Sequence, residues 1–378
     1  MRALINARVL LDDGFRDDVA VLVDGPTIAA VVSADEVPVG ALREDLDGAM
    51  LVPGFVDLQV NGGGDALFNA DPSVETIRRI GTAHRTFGTT GFLPTLISDD
   101  LAVIRAGIAA VEAALDEGVP GVLGIHIEGP FINVERKGIH AADKIRRIDA
   151  EGLAVLTSLK RGRTLVTLAP ELAGPAVIAQ LVAAGVVVAS GHTAASYAET
   201  RIALDAGLGG FTHLFNAMSQ LGNREPGAVG AALEADAAWC SLIVDGLHVH
   251  PVALGLALRC KPPERLFLVS DAMPTTGGQE ESFLLNGRRI FATGGKLVDS
   301  NGTLAGAYLD MLSAVRNAHR LLGVPLARAC AMASRYPADA IGLGARYGRI
   351  APGYAASLAM IDEDLAAASI CADAKFTC

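Results

Sequence analysis

Between Leu51 and Ala272, short apolar, β-branched runs alternate with amphipathic or alanine-rich stretches of helical period. Eight runs read as strands: GFVDLQV (54–60), TGFLPTL (90–96), VLGIHIE (122–128), TLVTLAP (164–170), VVVAS (186–190), GGFTHLF (209–215), SLIVDG (241–246) and LFLVSDA (266–272). Stretches such as VETIRRIGTAHRTF, LAVIRAGIAAVEAALDEG and PAVIAQLVAAG read as the helices between them. Strands that are apolar on both faces and separated by helices belong in a parallel sheet covered by those helices. Eight such repeats predict an α/β fold, a closed (β/α)8 barrel of the TIM type. A doubly wound sheet is the competing architecture. Against it, no GxGxxG opens a helix after the first run, and polar residues close nearly every run, as at the mouth of a barrel.

The flanks follow a different pattern. Residues 1–50 show short alternating runs (RALINARVLL, DVAVLVDG, TIAAVVSA) separated by DDG and DGP turns, which predicts a small antiparallel sheet. Near the other end, ARYGRIAPGYAASLAMID reads as turn plus strand. The expected division is a small β-sandwich domain from residues 1–50 and 346–378, beside a barrel of residues 51–345. Within the latter, SFLLNGRRIFATGGKLVDS reads as a hairpin insertion with Asn286-Gly287 as its turn.

Composition narrows the class of protein. Apolar residues make up 51% of the 378, with few aromatics, so a large core built from Ala, Val, Leu and Gly is expected. A net charge of −11 argues against nucleic acid or an anionic membrane as partner. An anionic small molecule remains compatible if the site supplies a local cation. Cys240, Cys260, Cys330, Cys371 and Cys378 are scattered, odd in number and without CxxC spacing, which favours reduced thiols in a cytoplasmic protein. Asp12 and Asp13 arrive too early for a signal peptide. Residues 172–198 lack Asp, Glu, Lys and Arg, but Gly174-Pro175, Gln180, Gly185 and the SGHT segment divide them into a helix and a buried strand rather than a membrane span.

The chemistry lies at the strand ends. Glu128 closes the third run, His192 and His213 follow the fifth and close the sixth, and Asp271 closes the eighth. One carboxylate and two imidazoles form a donor set suited to a divalent ion such as zinc, and a free aspartate beside it suits water activation. Each residue also has an ordinary structural reading. Glu128 can cap the turn at Gly129-Pro130, the histidines can be satisfied in a core, and Asp271 can cap a helix. Neighbouring barrel strands lie about 4.8 Å apart, so His192 and His213 can share one ion.

The runs PGFVDLQVNGGGD, GIHIEGPFIN, KGIHAAD, ASGHTAASYAE, THLFNAMSQLGNREPGAVGA, VDGLHVHP and LVSDAMPTTG occur in this order over residues 50–310. Together they resemble the N-acetylglucosamine-6-phosphate deacetylase family of the amidohydrolase superfamily. The resemblance implies that Glu128, His192 and His213 are metal ligands. It makes Asp271 the residue that takes a proton from the attacking water and returns it to the departing amine. It implies substrate contacts at Ile139, His140, Asn216, Ala217, Arg224, His248, Leu304, Ala305 and Gly306. His140 would polarise the acetyl carbonyl or contact the sugar, and Arg224 would hold phosphate, reaching the neighbouring active site of a homodimer. Zinc is the first expectation for the ion, with iron(II), manganese(II) or cobalt(II) able to take the same set.

One departure is informative. Many amidohydrolases carry His-x-His on the first strand, where this chain has Gln59-Val60-Asn61. Two neutral amides bind zinc poorly, which predicts one ion per subunit, with Gln59 and Asn61 orienting water or ligands. The ending SICADAKFTC matches no familiar pattern, and GYAASLAMID departs from the family's final strand. The alternatives are the same reaction on the galactosamine epimer, a cyclic amide hydrolase, and a non-catalytic scaffold. The second normally wants two metals and a bridging lysine. The third usually loses ligands or base, and none is missing here.

Overall fold

The computed structural model describes residues 1–372. Eight parallel strands hydrogen-bond in sequence order: β1 (Phe55–Val60), β2 (Thr89–Ile97), β3 (Gly124–Glu128), β4 (Arg163–Leu168), β5 (Val187–Ser190), β6 (Gly210–Phe211), β7 (Trp239–Leu242) and β8 (Leu266–Leu268). A parallel bridge from Val60 to Ala272 joins first to last. There the Asn61 and Gly62 N–H groups donate to the Ala272 carbonyl at 2.9 and 3.0 Å. The (β/α)8 barrel is therefore closed. Every residue of β1, β2 and β3 is buried, which explains why these runs lack polar alternation.

Several strands are shorter than the sequence pattern predicts. β6 ends at Phe211 and β8 at Leu268, so His213 and Asp271 lie just beyond their strands. The backbone leaves extended geometry there: φ is 47° at His192, 35° at His213 and 50° at Asp271. Left-handed conformations cost a residue with a side chain about 1–3 kcal/mol and concentrate at functional sites. They turn these side chains toward the mouth, a feature that hydrophobic pattern alone does not carry.

Both chain ends contribute to one sheet beside the barrel. Met50–Pro53 pairs antiparallel with Leu358–Ile361, and Arg8–Leu11, Gly14–Arg16 and Ala368–Ala372 complete five strands. The unusual GYAASLAMID segment thus makes an ordinary strand, with Leu358, Ala359 and Ile361 buried. A second sheet holds Arg2–Ile5, Val19–Asp24, Thr27–Ser33 and Leu42–Asp45. The N-terminal region was expected to be antiparallel throughout but is mixed. Arg2–Ile5 runs parallel to Leu42–Asp45, and Arg8–Leu11 parallel to Met50–Pro53. Parallel pairs require long crossovers, and the intervening hairpins supply them. Leu4, Val9, Val21, Ile28, Leu51 and Leu358 form the core between these sheets.

The expected hairpin insertion extends to four antiparallel strands, Ser282–Leu285, Arg288–Thr293, Lys296–Val298 and Leu304–Ala307. Asn286 and Gly287, at φ 49° and 75°, form the turn at the predicted position. Its last strand is tied to the mouth, since the Ala307 N–H donates to the Asp271 carbonyl at 2.8 Å. Gly306, at φ 61°, approaches so closely that a Cβ would lie 2.8 Å from that same oxygen.

Residues 172–198 form short helices and β5, and no helix of the described residues is long and apolar enough to cross a membrane. Cys240, Cys260, Cys330 and Cys371 are free thiols, and Cys378 lies outside the described residues.

A buried acid sits on the closing seam. The Asp57 Oδ1 accepts from the Gln59 and Ser270 N–H groups at 3.2 Å each, while Oδ2 has no hydrogen-bond partner. Burial pushes its pKa up from 3.8 to about 7, against the opposing hydrogen bonds from Ser270 and Gln59. A raised folded-state value stabilises the fold below about pH 4, and that contribution is lost as pH rises through about 7. At pH 8 the ionised group costs on the order of 4 kcal/mol. Asp57→Asn is therefore expected to melt several degrees above the parent at pH 8, with the gap closing or reversing near pH 4.5. Thermal melts at the two pH values check this.

Candidate active site

At the carboxyl ends of the strands three donor atoms form a small triangle. Glu128 Oε1 lies 3.0 Å from His192 Nε2 and 2.9 Å from His213 Nε2, and the two imidazole nitrogens are 3.2 Å apart. All three side chains are buried. Bonds of about 2.0–2.1 Å in tetrahedral geometry place ligand atoms about 3.3 Å from one another, so the triangle fits an ion of zinc size. Burial pushes the Glu128 pKa upward, but hydrogen bonds and charge from His192 and His213 outweigh it and hold the carboxyl well below its usual range. Burial likewise pulls His213 down, and Glu128 more than reverses that, leaving its pKa raised. Both shifts mark an ionised carboxylate that draws positive charge to this point.

A different grouping is also close, since Glu128, His140 and His192 each offer a ligand atom within 4.8 Å of the others. Tautomers decide between the two sets. His192 Nδ1 lies 2.8 Å from the Arg136 carbonyl, which can only accept, so the ring proton sits on Nδ1 and Nε2 keeps its lone pair. His140 is reversed. Its Nδ1 accepts from the Ser98 N–H at 3.2 Å, and Ser98 Oγ lies 2.7 Å away. Burial, reinforced by the charge of His192, pulls the His140 pKa down to about 3, so its ring is neutral with the proton on Nε2. His140 therefore offers a donor to the cleft, not a ligand.

Asp271 stands beside the triangle and is held by two amides. Asn61 Nδ2 donates to its Oδ1 at 2.7 Å and Gln59 Nε2 at 3.1 Å, and the same Gln59 nitrogen reaches Glu128 Oε2 at 3.0 Å. Gln59 thus occupies the second oxygen of Glu128 and leaves Oε1 to the triangle. Among the described residues Oδ2 of Asp271 accepts no hydrogen bond. Burial and then the charge of Glu128 push the Asp271 pKa up to about 7, and a cation in the triangle would lower it.

These groups open into a cleft of about 340 Å³. Of the residues singled out in the sequence, Asn61, Glu128, Ile139, His140, His192, His213, Asn216, Ala217, His248, Asp271, Leu304 and Gly306 line it. Two do not. Ala305 is fully buried with Ile97, Ile139 and Met273 because the insertion strand turns its side chain inward. Arg224 sits in an exposed loop away from the cleft of its own chain. Ala217, at φ 50°, joins the residues held in left-handed geometry.

Several contributors escape a motif-based reading. Asp245 Oδ2 lies 2.6 Å from His248 Nδ1 and its Oδ1 accepts the Leu247 and His248 N–H groups, fixing that imidazole. Glu171 accepts from Thr193 Oγ1, the Ala194 N–H and Asn133 Nδ2, and so holds the loop that follows His192. Beneath the triangle, His126 is bracketed by Thr95 and Thr167 hydroxyls at 3.2 and 2.8 Å. Burial pulls its pKa down to about 4, so it stays a neutral core residue. Asp245 and Ser98 had a detectable signal, a polar residue at the close of an apolar run. Glu171, just after the fourth run, carries the same signal, whereas His126 is seen as a partner only once the strands are assembled.

A closed parallel barrel with a carboxylate–imidazole triangle and a flanking acid at its mouth defines a metal-dependent hydrolase. The chain belongs to the amidohydrolase family, whose family model matches residues 50–377. It is 43% identical over 319 residues to an N-acetylgalactosamine-6-phosphate deacetylase of Shewanella sp. (strain ANA-3), covering 84% of this chain and 81% of that one. It is 35% identical over 361 residues to an N-acetylglucosamine-6-phosphate deacetylase of Haemophilus influenzae, covering 95% and 94%. The crystal structure of N-acetylglucosamine-6-phosphate deacetylase from Pasteurella multocida superposes with a TM-score of 0.94 at 35% identity over 98% of each chain.

Proposed function

We propose that this chain hydrolyses the acetamide of N-acetyl-D-glucosamine 6-phosphate to D-glucosamine 6-phosphate and acetate. The observation that carries the reading is the triangle of Glu128, His192 and His213 with Asp271 beside it. The residues fit a single divalent ion, zinc first, which when bound would acidify a water and polarise the acetyl carbonyl. Asp271 accepts the proton of the attacking water through its free oxygen. The His140 Nε2–H donates to the carbonyl oxygen as negative charge develops there. Asp271 then delivers its proton to the nitrogen, because an unprotonated amine leaves poorly. Gln59 and Asn61 hold Asp271 in place throughout.

His140→Asn is expected to lower kcat by about 10²–10³-fold while leaving metal content unchanged, as befits an oxyanion donor. Steady-state kinetics together with metal analysis of the purified variant check both halves.

Among the described residues no lysine or arginine lines the cleft. A phosphate ester needs a cation, and this supports a homodimer in which Arg224 reaches the cleft of the other copy, with its planar fork on the phosphate. Residues 51–345 would form the catalytic barrel and residues 1–50 with 346–378 the accessory β unit, of which 373–378 lie outside the described residues. Free thiols among the described residues fit a reducing, cytoplasmic setting.

The galactosamine epimer is the second reading, favoured by the identity to the Shewanella enzyme. Acetate release from the two epimers, measured side by side on metal-loaded protein, tests the proposal. Higher turnover on the galacto compound would transfer the assignment to it, and activity on neither would remove the deacetylase reading.

A further inference from the structure

A second cavity, of about 220 Å³, lies where the β unit meets the barrel. It is lined by Pro53, just before β1, and so sits at the end of that strand opposite the metal triangle. Three guanidinium groups, Arg328, Arg335 and Arg349, line it with one carboxylate, Asp12. Asp12 is already shared, pairing with Arg349 and lying 3.7 Å from Arg335. Arg335 has a further long contact to Asp339 at 3.8 Å. Arg328 has no ion pair among the described residues, and its Nε and Nη2 atoms are buried without a hydrogen-bond partner. The Nε atoms of Arg335 and Arg349 are buried without hydrogen-bond partners as well.

Buried donors that lack acceptors are rare and costly, most of all on a charged group. The side chains that carry them line a cavity with three positive charges and one negative, in a chain whose net charge is −11. A local excess of this sign is not a by-product of composition. A guanidinium presents parallel N–H groups that match two oxygens of a phosphate. The size of the cavity admits a phosphate with room for a small substituent.

We propose that this cavity is a phosphate site, distinct from the catalytic cleft, that takes inorganic phosphate or the phosphate of a small monoester, with Arg328 as its principal contact. The ligand clamps the β unit to the barrel, since Asp12 and Arg349 come from segments flanking the β-unit strands while Arg328 and Arg335 come from the helices at 326–340. Binding therefore stabilises the whole chain in proportion to ligand concentration.

Calorimetric titration of the metal-loaded protein with inorganic phosphate, and separately with glucose 6-phosphate, tests this. Arg328→Gln is expected to weaken binding at least about tenfold, the loss of a charge-assisted hydrogen bond. Arg328→Lys, which keeps the charge without the fork, is expected to fall between. His248→Gln, in the catalytic cleft, is expected to leave this binding event intact. Response to phosphate alone would identify the free ion as ligand, and response to the ester would identify a phosphorylated metabolite; both uphold the site. Unchanged affinity in a folded Arg328→Gln protein would mean that the cavity holds water only. Loss of all binding in His248→Gln would place the anion in the cleft. Either result overturns the proposal.

Discussion

Asp271→Asn is expected to lower turnover by about 10³–10⁴-fold while substrate still binds. The substitution preserves size and leaves an oxygen to accept from Gln59 and Asn61, the two amides that hold the parent side chain at 3.1 and 2.7 Å. What it removes is the capacity to hold a proton. General acid–base transfer by a positioned group contributes about 10²–10⁴-fold, and in the proposed mechanism one carboxyl serves both transfers, which puts the loss at the upper end. The triangle of Glu128, His192 and His213 is untouched, so the metal and the cleft remain. The pH profile gives an independent readout. Burial and the neighbouring carboxylate push the Asp271 pKa up to about 7, and a bound cation pulls it back down. The acid limb of the parent's rate therefore lies at or below 7, activity falls as pH drops through it, and the variant has no such limb. Single-turnover acetate release and equilibrium binding of the substrate provide the check. Turnover near that of the parent would remove Asp271 from its role.

The barrel is legible in the sequence because buried parallel strands leave an unbroken apolar signature that helices interrupt at regular intervals. GFVDLQV and TGFLPTL fall almost residue for residue on β1 and β2. GGFTHLF misleads, since Leu214 and Phe215 pack in or against the core beyond the strand, which stops at Phe211. The candidate residues were visible for a related reason. Glu128, His192, His213 and Asp271 are polar groups where apolar runs end, and the fold gathers all such ends at one place. The functions of Gln59 and Asn61 were harder to see. As amides they look like degraded ligands, but the structure gives them a positive task, since the Gln59 amide nitrogen donates to both Glu128 and Asp271 and the Asn61 amide nitrogen to Asp271. Tautomers were beyond the sequence altogether. Whether His140 coordinates or donates depends on the Ser98 backbone, and whether His192 can coordinate depends on the Arg136 carbonyl.

The same tautomer argument makes metal content a sharp test. Glu128→Gln is expected to reduce bound metal from about one ion per chain to near zero after dialysis, and to abolish activity in parallel. A divalent cation needs the carboxylate's charge, because His192 and His213 are neutral when they coordinate and nothing else in the triangle offsets the ion. Glutamine keeps the length and one oxygen but removes that charge. It also places an NH2 group where Gln59 now donates to Glu128 Oε2 at 3.0 Å, so two donors meet if the remaining oxygen faces the histidines. His140→Asn, by contrast, is expected to keep its ion. Mass spectrometry of inorganic elements checks both variants; Glu128 belongs to either donor set, so the His140 variant is the one that separates them. If His140→Asn lost its ion as Glu128→Gln does, the ion would belong to the set of Glu128, His140 and His192, and the backbone N–H of Ser98 could no longer be the partner of that ring.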